Sequence, residues 1–337
     1  MTLQDHHRII REGAAIGAVS PRRQIAVVGN DRAAYLQGLL TNDIQALQPG
    51  TGCYAAWLTP QGRMLTDMHV LESGSMILLD VPAETVDATL ARLEQFIFTE
   101  DVRVESLADS LAGLWIHGPR AAETIARVDG AGGAGGDLGQ WPIYRHARSE
   151  FRGNPITVVR VDQIGVPGYC VYLEREHEAA YLAALENAGA VVVLPAAIEA
   201  ARIEAGYPVF GIDMTDDTIP LEAGIEDRAI STSKGCYVGQ EVIIRVLHRG
   251  HGRVVRKLVG LRIGADGDAE PVRGARLFAA DRDVGSITSA ARSPRLGAIA
   301  MGYVHRDFVN DGTRVDVEMP SGRAPAVVTE RLIPSTP

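Results

Sequence analysis

Six short runs rich in branched apolar residues fill the chain from residue 254 onward: Val254–Ile263, Arg276–Ala279, Val284–Ala290, Ala298–Val304, Arg314–Glu318 and Ala326–Thr329. Strands this short and this closely spaced, with turns between them, bury their apolar side only by closing into a small β-barrel or sandwich. Before residue 250 the pattern changes to strands alternating with helices. A boundary is therefore expected there, dividing the chain into a region 1–250 and a C-terminal β-barrel domain 251–337, with Gly264–Asp268 as a loop inside the latter.

Within 1–250 two units are legible. Gln24–Val28 reads as a strand, and Asn30 or Asp31 then caps a helix with Tyr35, Leu36, Leu39 and Leu40 on its apolar side. Cys53–Leu58 and Met64–Leu71 are strands joined by the turn Pro60-Gln61-Gly62, and Ser75–Leu79 is a third. Pro82 opens a helix carrying Val86, Leu90, Leu93 and Ile97, and Asp101–Val104 returns as a strand. The second unit has strands at Leu114–His117, Ile143–Arg145, Ile156–Val161 and Tyr169–Leu173. Its helices are Pro119–Val128, Glu176–Ala188 and Pro195–Gly206. The tract Gly130–Gly136 is not followed by a phosphate-cradling helix and reads as a surface loop. The fold class is α+β, helices covering one face of antiparallel sheets.

No run approaches the roughly twenty apolar residues of a bilayer span, and Met1–Arg11 is charged, so a cytoplasmic protein without membrane contact is expected. Cys53, Cys170 and Cys236 are widely spaced and form no Cys-x-x-Cys, so neither a disulfide framework nor a metal motif is legible. A net charge of −9 argues against direct nucleic-acid binding. Against that average, Val242–Ala265 holds no acidic residue and carries Arg245, Arg249, Arg253, Arg256, Lys257 and Arg262, with His248 and His251 among them. The stripe is either a local anion site or a solvated strand face with snorkelling arginines.

Lys234-Gly235-Cys236-Tyr237-Val238-Gly239-Gln240-Glu241 is too polar and too broken by glycine for a core helix and reads as a loop that approaches something closely. Cys236 is either a small buried hydrophobe or a thiol that Lys234 helps to ionise. In Met64–Leu71, alternation puts Leu65, Asp67, His69 and Leu71 on one face, making Asp67 and His69 either an acid–base pair or a satisfied polar pair at a sheet edge. Arg202 and Glu204 are either ligand contacts or an ordinary helical ion-pair pattern.

The octapeptide resembles the signature of the YgfZ family of folate-binding proteins, relatives of the glycine-cleavage T-protein (aminomethyltransferase). The resemblance runs through Leu36–Asp43, Glu204–Pro208, Ile219–Gly224 and Ser293-Pro294, and so covers nearly the whole chain. It implies the T-protein-like fold, with two interleaved α+β subdomains, a C-terminal barrel and tetrahydrofolate or a related reduced folate in a central cavity. Candidate folate contacts are Asn42, Asp67, His69, Arg202, Glu204, Tyr237 and Gln240, and candidates for chemistry are Cys236, Lys234 and Asp67. The function implied is a folate-binding accessory role in iron–sulfur protein assembly or repair, with iron–sulfur client proteins as partners and Cys236 essential. The alternative is a tetrahydrofolate-dependent aminomethyl or one-carbon transferase; whether a reaction is turned over is left open. Two departures from T-proteins favour the first. T-proteins carry two consecutive aspartates, one essential to their amine chemistry, where Thr66-Asp67 stand, and a pterin-binding glutamate near Val166, whose side chain accepts no hydrogen bond.

Overall fold

In the computed structural model, residues 1–129, 136–249, 253–264, 271–320, 322–329 and 332 are described. Most of the glycine tract, most of the loop expected at 264–268, and His251 lie outside them. The first unit is a five-stranded antiparallel sheet in the order Thr51–Leu58, Met64–Glu72, Ile77–Pro82, Arg22–Val28, Arg103–Ser106. Helices Arg32–Leu39 and Val86–Gln95 cover one face, burying Leu36, Leu40 and Leu93 against Ile25, Val27, Trp57, Met68, Val70 and Leu79. Alternation then sends Asp67, His69 and Leu71 to the other face. Leu65 does not join them: a register shift opposite Trp57 and Leu58 turns it toward the helix side.

The second unit is a six-stranded sheet in the order Val191–Val192, Ala15–Ile16, Leu111–His117, Gly168–Glu174, Asn154–Val161, His146–Phe151. Helices Ala121–Asp129 and Glu178–Asn187 pack on one side through Ile125, Tyr181 and Leu185. The opposite face meets the first sheet directly, with Trp115, Val159, Val161, Cys170 and Tyr172 packed against Leu71 and Leu78. Two helix-and-sheet layers are thus stacked sheet to sheet. Ile143–Arg145 is not the strand its composition suggests. Tyr144 has φ +64°, and the strand starts only at His146.

Arg256–Ile263, Gly297–His305, Arg282–Ser293, Arg276–Ala279, Arg314–Met319 and Gly322–Thr329 form a closed barrel, sealed by pairing of the first and last. Closure leaves no free sheet edge, and the branched inward residues fill the interior. Helix Pro195–Glu204 ties the barrel to the rest: Ala200 and Ile203 pack on Ala291, Ile299, Met301 and Leu332. Helix Leu3–Glu12, opened by a Thr2–Asp5 capping box, packs against that helix. Among the described residues no helix is long and apolar enough to cross a membrane.

Candidate functional site

Strand register builds one polar row. Gln24 pairs with Asp80, Asp80 with His69, and His69 with Tyr54, so a single line crosses four neighbouring strands on the face turned to the second unit. Arg22 and Asp67, two residues along from Gln24 and His69, lie on the same face. The groups are tightly joined. Arg22 Nε donates to Asp80 Oδ2 at 2.7 Å and its Nη1 to Asp67 Oδ1 at 3.2 Å. Tyr54 Oη donates to Asp67 Oδ2 at 2.6 Å, Gln24 Nε2 donates to Asp80 Oδ1 at 2.7 Å, and His69 Nδ1 lies 3.1 Å from Asp80 Oδ2.

A second guanidinium completes the charge balance. Arg228 stands 4.7 Å from the centre of the Tyr54 ring and 4.2 Å from that of Tyr207, and feels the charge of Asp67. Two buried carboxylates thus face two cations, as a low-dielectric site requires. Burial works against the Arg22 charge, but Asp67 and Asp80 hold it protonated. Burial would raise the Asp80 carboxyl, yet Arg22 and His69 outweigh it and keep the pKa below the ordinary value. Burial, aided by the Arg22 charge, lowers the His69 imidazole, while Asp80 opposes. Burial also drives the Tyr54 phenol well up, with Asp67 adding to it.

The second unit supplies the facing wall. Trp115 and Tyr144 bring their rings to 6.1 and 5.4 Å from the His69 ring. Arg228, Tyr144 and Tyr207 stay only half-buried in the midst of this cluster, while His69 Nε2 and Gln24 Oε1 are buried without a hydrogen-bond partner among the described residues. Flat rings, half-open polar groups and unmet acceptors together suit a flat, hydrogen-bonding heterocycle. A separate cleft of about 270 Å³ at the edge of the same sheet-to-sheet junction is lined by Pro49, Met76, Arg145 and Arg148 among others and excludes this row.

The residues singled out from sequence fall into three groups. Asp67 and His69 are in the row, though they meet through Arg22 and Asp80 instead of each other. Asn42, Arg202 and Glu204 are supports. Asn42 Nδ2 donates to the backbone carbonyls of Tyr54 and Arg228 at 2.8 and 3.1 Å, pinning both. Arg202 is fully buried, bonded to Glu199, Asp213, Ser289 and the Tyr207 carbonyl. Glu204 is fully buried between His7, Arg11 and Ser293, joining the N-terminal helix to the barrel. With their groups taken by protein partners, neither presents an open surface to a ligand.

The octapeptide loop forms the third group. Lys234 Nζ donates to the carbonyls of Gln37, Leu40 and Asn42, all three protons going to the C-terminal end of helix Arg32–Leu39 and the residues after it. The expected support of a Cys236 thiolate by Lys234 therefore gives way to a capping role. Cys236 is exposed and Tyr237 is buried under Lys234, while Gln240, half-buried, opens helix Gln240–Ile244. In the basic stretch, Arg256 pairs with Glu222 and stacks on Tyr303, and Arg262 donates to the Leu332 carbonyl, so neither is left over for an anion. Thr66 points to the helix side, its Oγ1 2.9 Å from that of Thr85, so the departure from two aspartates removes no carboxylate from the row. Val166 packs in the apolar cluster of Ile10, Ile164 and Ile198.

Sequence reasoning missed Arg22, Gln24, Tyr54, Asp80, Tyr144, Tyr207 and Arg228. A signal was present for Asp80, a lone charge in the otherwise apolar strand Ile77–Pro82.

Residues 1–234 match the GCVT N-terminal domain, and residues 256–333 match the glycine cleavage T-protein C-terminal barrel domain. The aminomethyltransferase of Bacillus subtilis strain 168 is 28% identical over 325 residues, covering 94% of this chain and 87% of that protein. That of Desulfitobacterium hafniense strain DCB-2 is 29% identical over 337 residues, covering 98% and 88%. The fold matches that of glycine cleavage system aminomethyltransferase T from Bartonella henselae with a TM-score of 0.85, over 99% of this chain and 90% of that one at 24% identity. The T-protein family uses tetrahydrofolate as its substrate or cofactor, the cofactor expected from the sequence. With both its N-terminal region and its barrel matched, the chain belongs to the glycine cleavage T-protein family.

Proposed function

We propose that the protein is a reduced-folate-dependent one-carbon transferase of the aminomethyltransferase kind. The observation that carries this reading is the Asp67 carboxylate, buried between Arg22 and Tyr54 on the face where the two units meet. A carboxylate offers about four acceptor positions, and among the described residues Arg22 and Tyr54 take two of them. The remainder can receive the N–H of an amine. Tetrahydrofolate, when bound, supplies the nitrogens that carry a one-carbon unit. The rings of Tyr54, Tyr144 and Tyr207 would hold its pterin, and Arg228 would fix its polar edge. Val166 leaves that pterin without the T-protein glutamate, so binding would rely on these groups.

Asp67→Asn is the test. The amide keeps shape and can still accept from Arg22, so the fold should stand and tetrahydrofolate should still give saturable heat under anaerobic calorimetry. Transfer in a reconstituted glycine-cleavage assay should fall by about a hundredfold or more. Full transfer by the variant, or no heat with the folded native protein, defeats the proposal.

One observation favours a second reading, the folate-binding accessory factor for iron–sulfur proteins. Cys236 is exposed, whereas Cys170 is buried and Cys53 partly so. An open thiol on a glycine-flanked loop is available as a nucleophile or soft ligand. If Cys236→Ser keeps transfer activity but fails to restore iron–sulfur enzymes in a strain lacking the protein, this second role holds. If the variant restores them fully, the thiol has no such part.

A further inference from the structure

His69 is held on one side and left open on the other. Its Nδ1 is bonded to Asp80, whose carboxylate also takes Arg22 Nε and Gln24 Nε2. An ionised carboxylate only accepts, so the proton in that bond belongs to Nδ1. Nε2 then carries the lone pair. No described group donates to it, although the side chain is only 2% exposed. Leaving a buried acceptor unpaired is costly, and filling the place with leucine or valine would have avoided that. The ring is braced by Tyr54 at 6.0 Å on its own sheet and by Trp115 and Tyr144 across the junction. Of these, Tyr144 alone is half-buried, so the approach to His69 is from its side.

We propose that His69 is a further proton-accepting residue of the site beside Asp67, positioned by Asp80, with Nε2 receiving an N–H of the bound ligand. This rests on the folate-dependent reading above and adds to it a residue with a stated atom and tautomer. When that nitrogen gives up its proton, the N–H electron pair stays on nitrogen and the proton joins the Nε2 lone pair. The imidazolium so formed is stabilised by Asp80, as in other buried carboxylate–imidazole pairs. The charged groups facing the ring are Asp80, Asp67 and Arg22. Burial and Arg22 together keep the imidazole neutral near pH 7, so the lone pair is free to act.

The test reads the tautomer and the ligand contact separately from turnover. Nitrogen-15 NMR of histidine-labelled protein, with the His69 signal assigned by its loss in His69→Asn, should show the Nδ1-protonated tautomer before ligand is added. Asp80→Asn should convert it to a mixture. Tetrahydrofolate, added anaerobically, should shift the Nε2 resonance. In His69→Asn the amide nitrogen can replace Nδ1 as donor to Asp80 while nothing replaces Nε2. That variant should keep its melting temperature and bind tetrahydrofolate about tenfold more weakly, the loss of one hydrogen bond. An Nε2-protonated tautomer in the free protein overturns the assignment. So does saturable tetrahydrofolate heat with no change at His69 Nε2. Absence of any heat with native protein overturns the folate reading itself and this assignment with it.

Discussion

Replacing Lys234 by methionine separates capping from chemistry. The Lys234 ammonium donates at 2.6, 2.6 and 2.9 Å to the carbonyls of Gln37, Leu40 and Asn42. Burial pushes its pKa down from 10.5 to about 8, with Asp43 pulling the other way. Burial opposes the charge, and the three hydrogen bonds, each worth about 1.5–3 kcal/mol from a charged donor, are what hold the ammonium at the helix end. Methionine fills the same space and donates nothing, leaving three carbonyls at the helix end unpaired. Lys234→Met should therefore lower the unfolding free energy by about 3 kcal/mol, read from urea midpoints at pH 7 with the slope unchanged. Helix Arg32–Leu39 should also lose amide-exchange protection first at its C-terminal end. Unchanged stability combined with lost activity would show that the lysine acts in the chemistry and that the capping argument is mistaken.

Two further outcomes are expected. Under native conditions Cys236 should alkylate far faster than Cys53, whose pKa burial pushes up to about 12, or Cys170, raised well above the ordinary value mainly by burial; mass spectrometry of tryptic peptides checks this, and comparable rates at all three would contradict the burial pattern. His117, fully buried, has its pKa pushed from 6.5 down to about 4 by burial, partly offset by the Gly17 backbone. The unfolded chain then binds the extra proton first, so this residue's contribution is intact above pH 6.5 and is lost as pH falls through about 4, a change of about 3 kcal/mol. His117→Phe should flatten the fall in urea midpoint between pH 7 and 4.5, and an equally steep fall in that variant would place the acid-sensitive group elsewhere.

The elements set by local pattern were legible in sequence. All six barrel runs, the hairpin around Pro60-Gln61-Gly62 and the helix bearing Val86 and Leu93 follow from period and turn chemistry. Where a local conformation overrides composition, the reading failed. Ile143–Arg145 has strand-forming residues, but Tyr144 sits in the left-handed region. Helix Leu3–Glu12 was missed because its buried face includes His6 and His7, polar residues that conceal the apolar stripe. The site was half legible. Alternation alone put Asp67 and His69 on one face, yet their partners are fixed by pairing across strands, and no local window shows that Asp80 lands opposite His69. Arg202 and Glu204 looked like ligand groups because sequence does not reveal that Asp213, Ser289, His7 and Ser293 arrive from distant segments to occupy them.

The short strand Ala15–Ile16 has a consequence for how the protein comes into being on the ribosome. It pairs with Leu111–His117 on one side and with Val191–Val192 on the other, so the opening segment belongs to a layer otherwise built after residue 110. The sheet beginning at Arg22 is contiguous in the chain and can assemble as it emerges, whereas the layer holding Ala15–Ile16 must wait for about ninety more residues and is complete only once Val192 is out. Until then Ile10, Ala15 and Ile16 lack most of the apolar residues they pack against, Ile116, Ile164 and Val193 among them, and are open to non-native contacts. Slow translation between 120 and 190 would lengthen that interval; a fragment ending near 110 would carry a strand it cannot use, and one beginning there would lack a strand it needs.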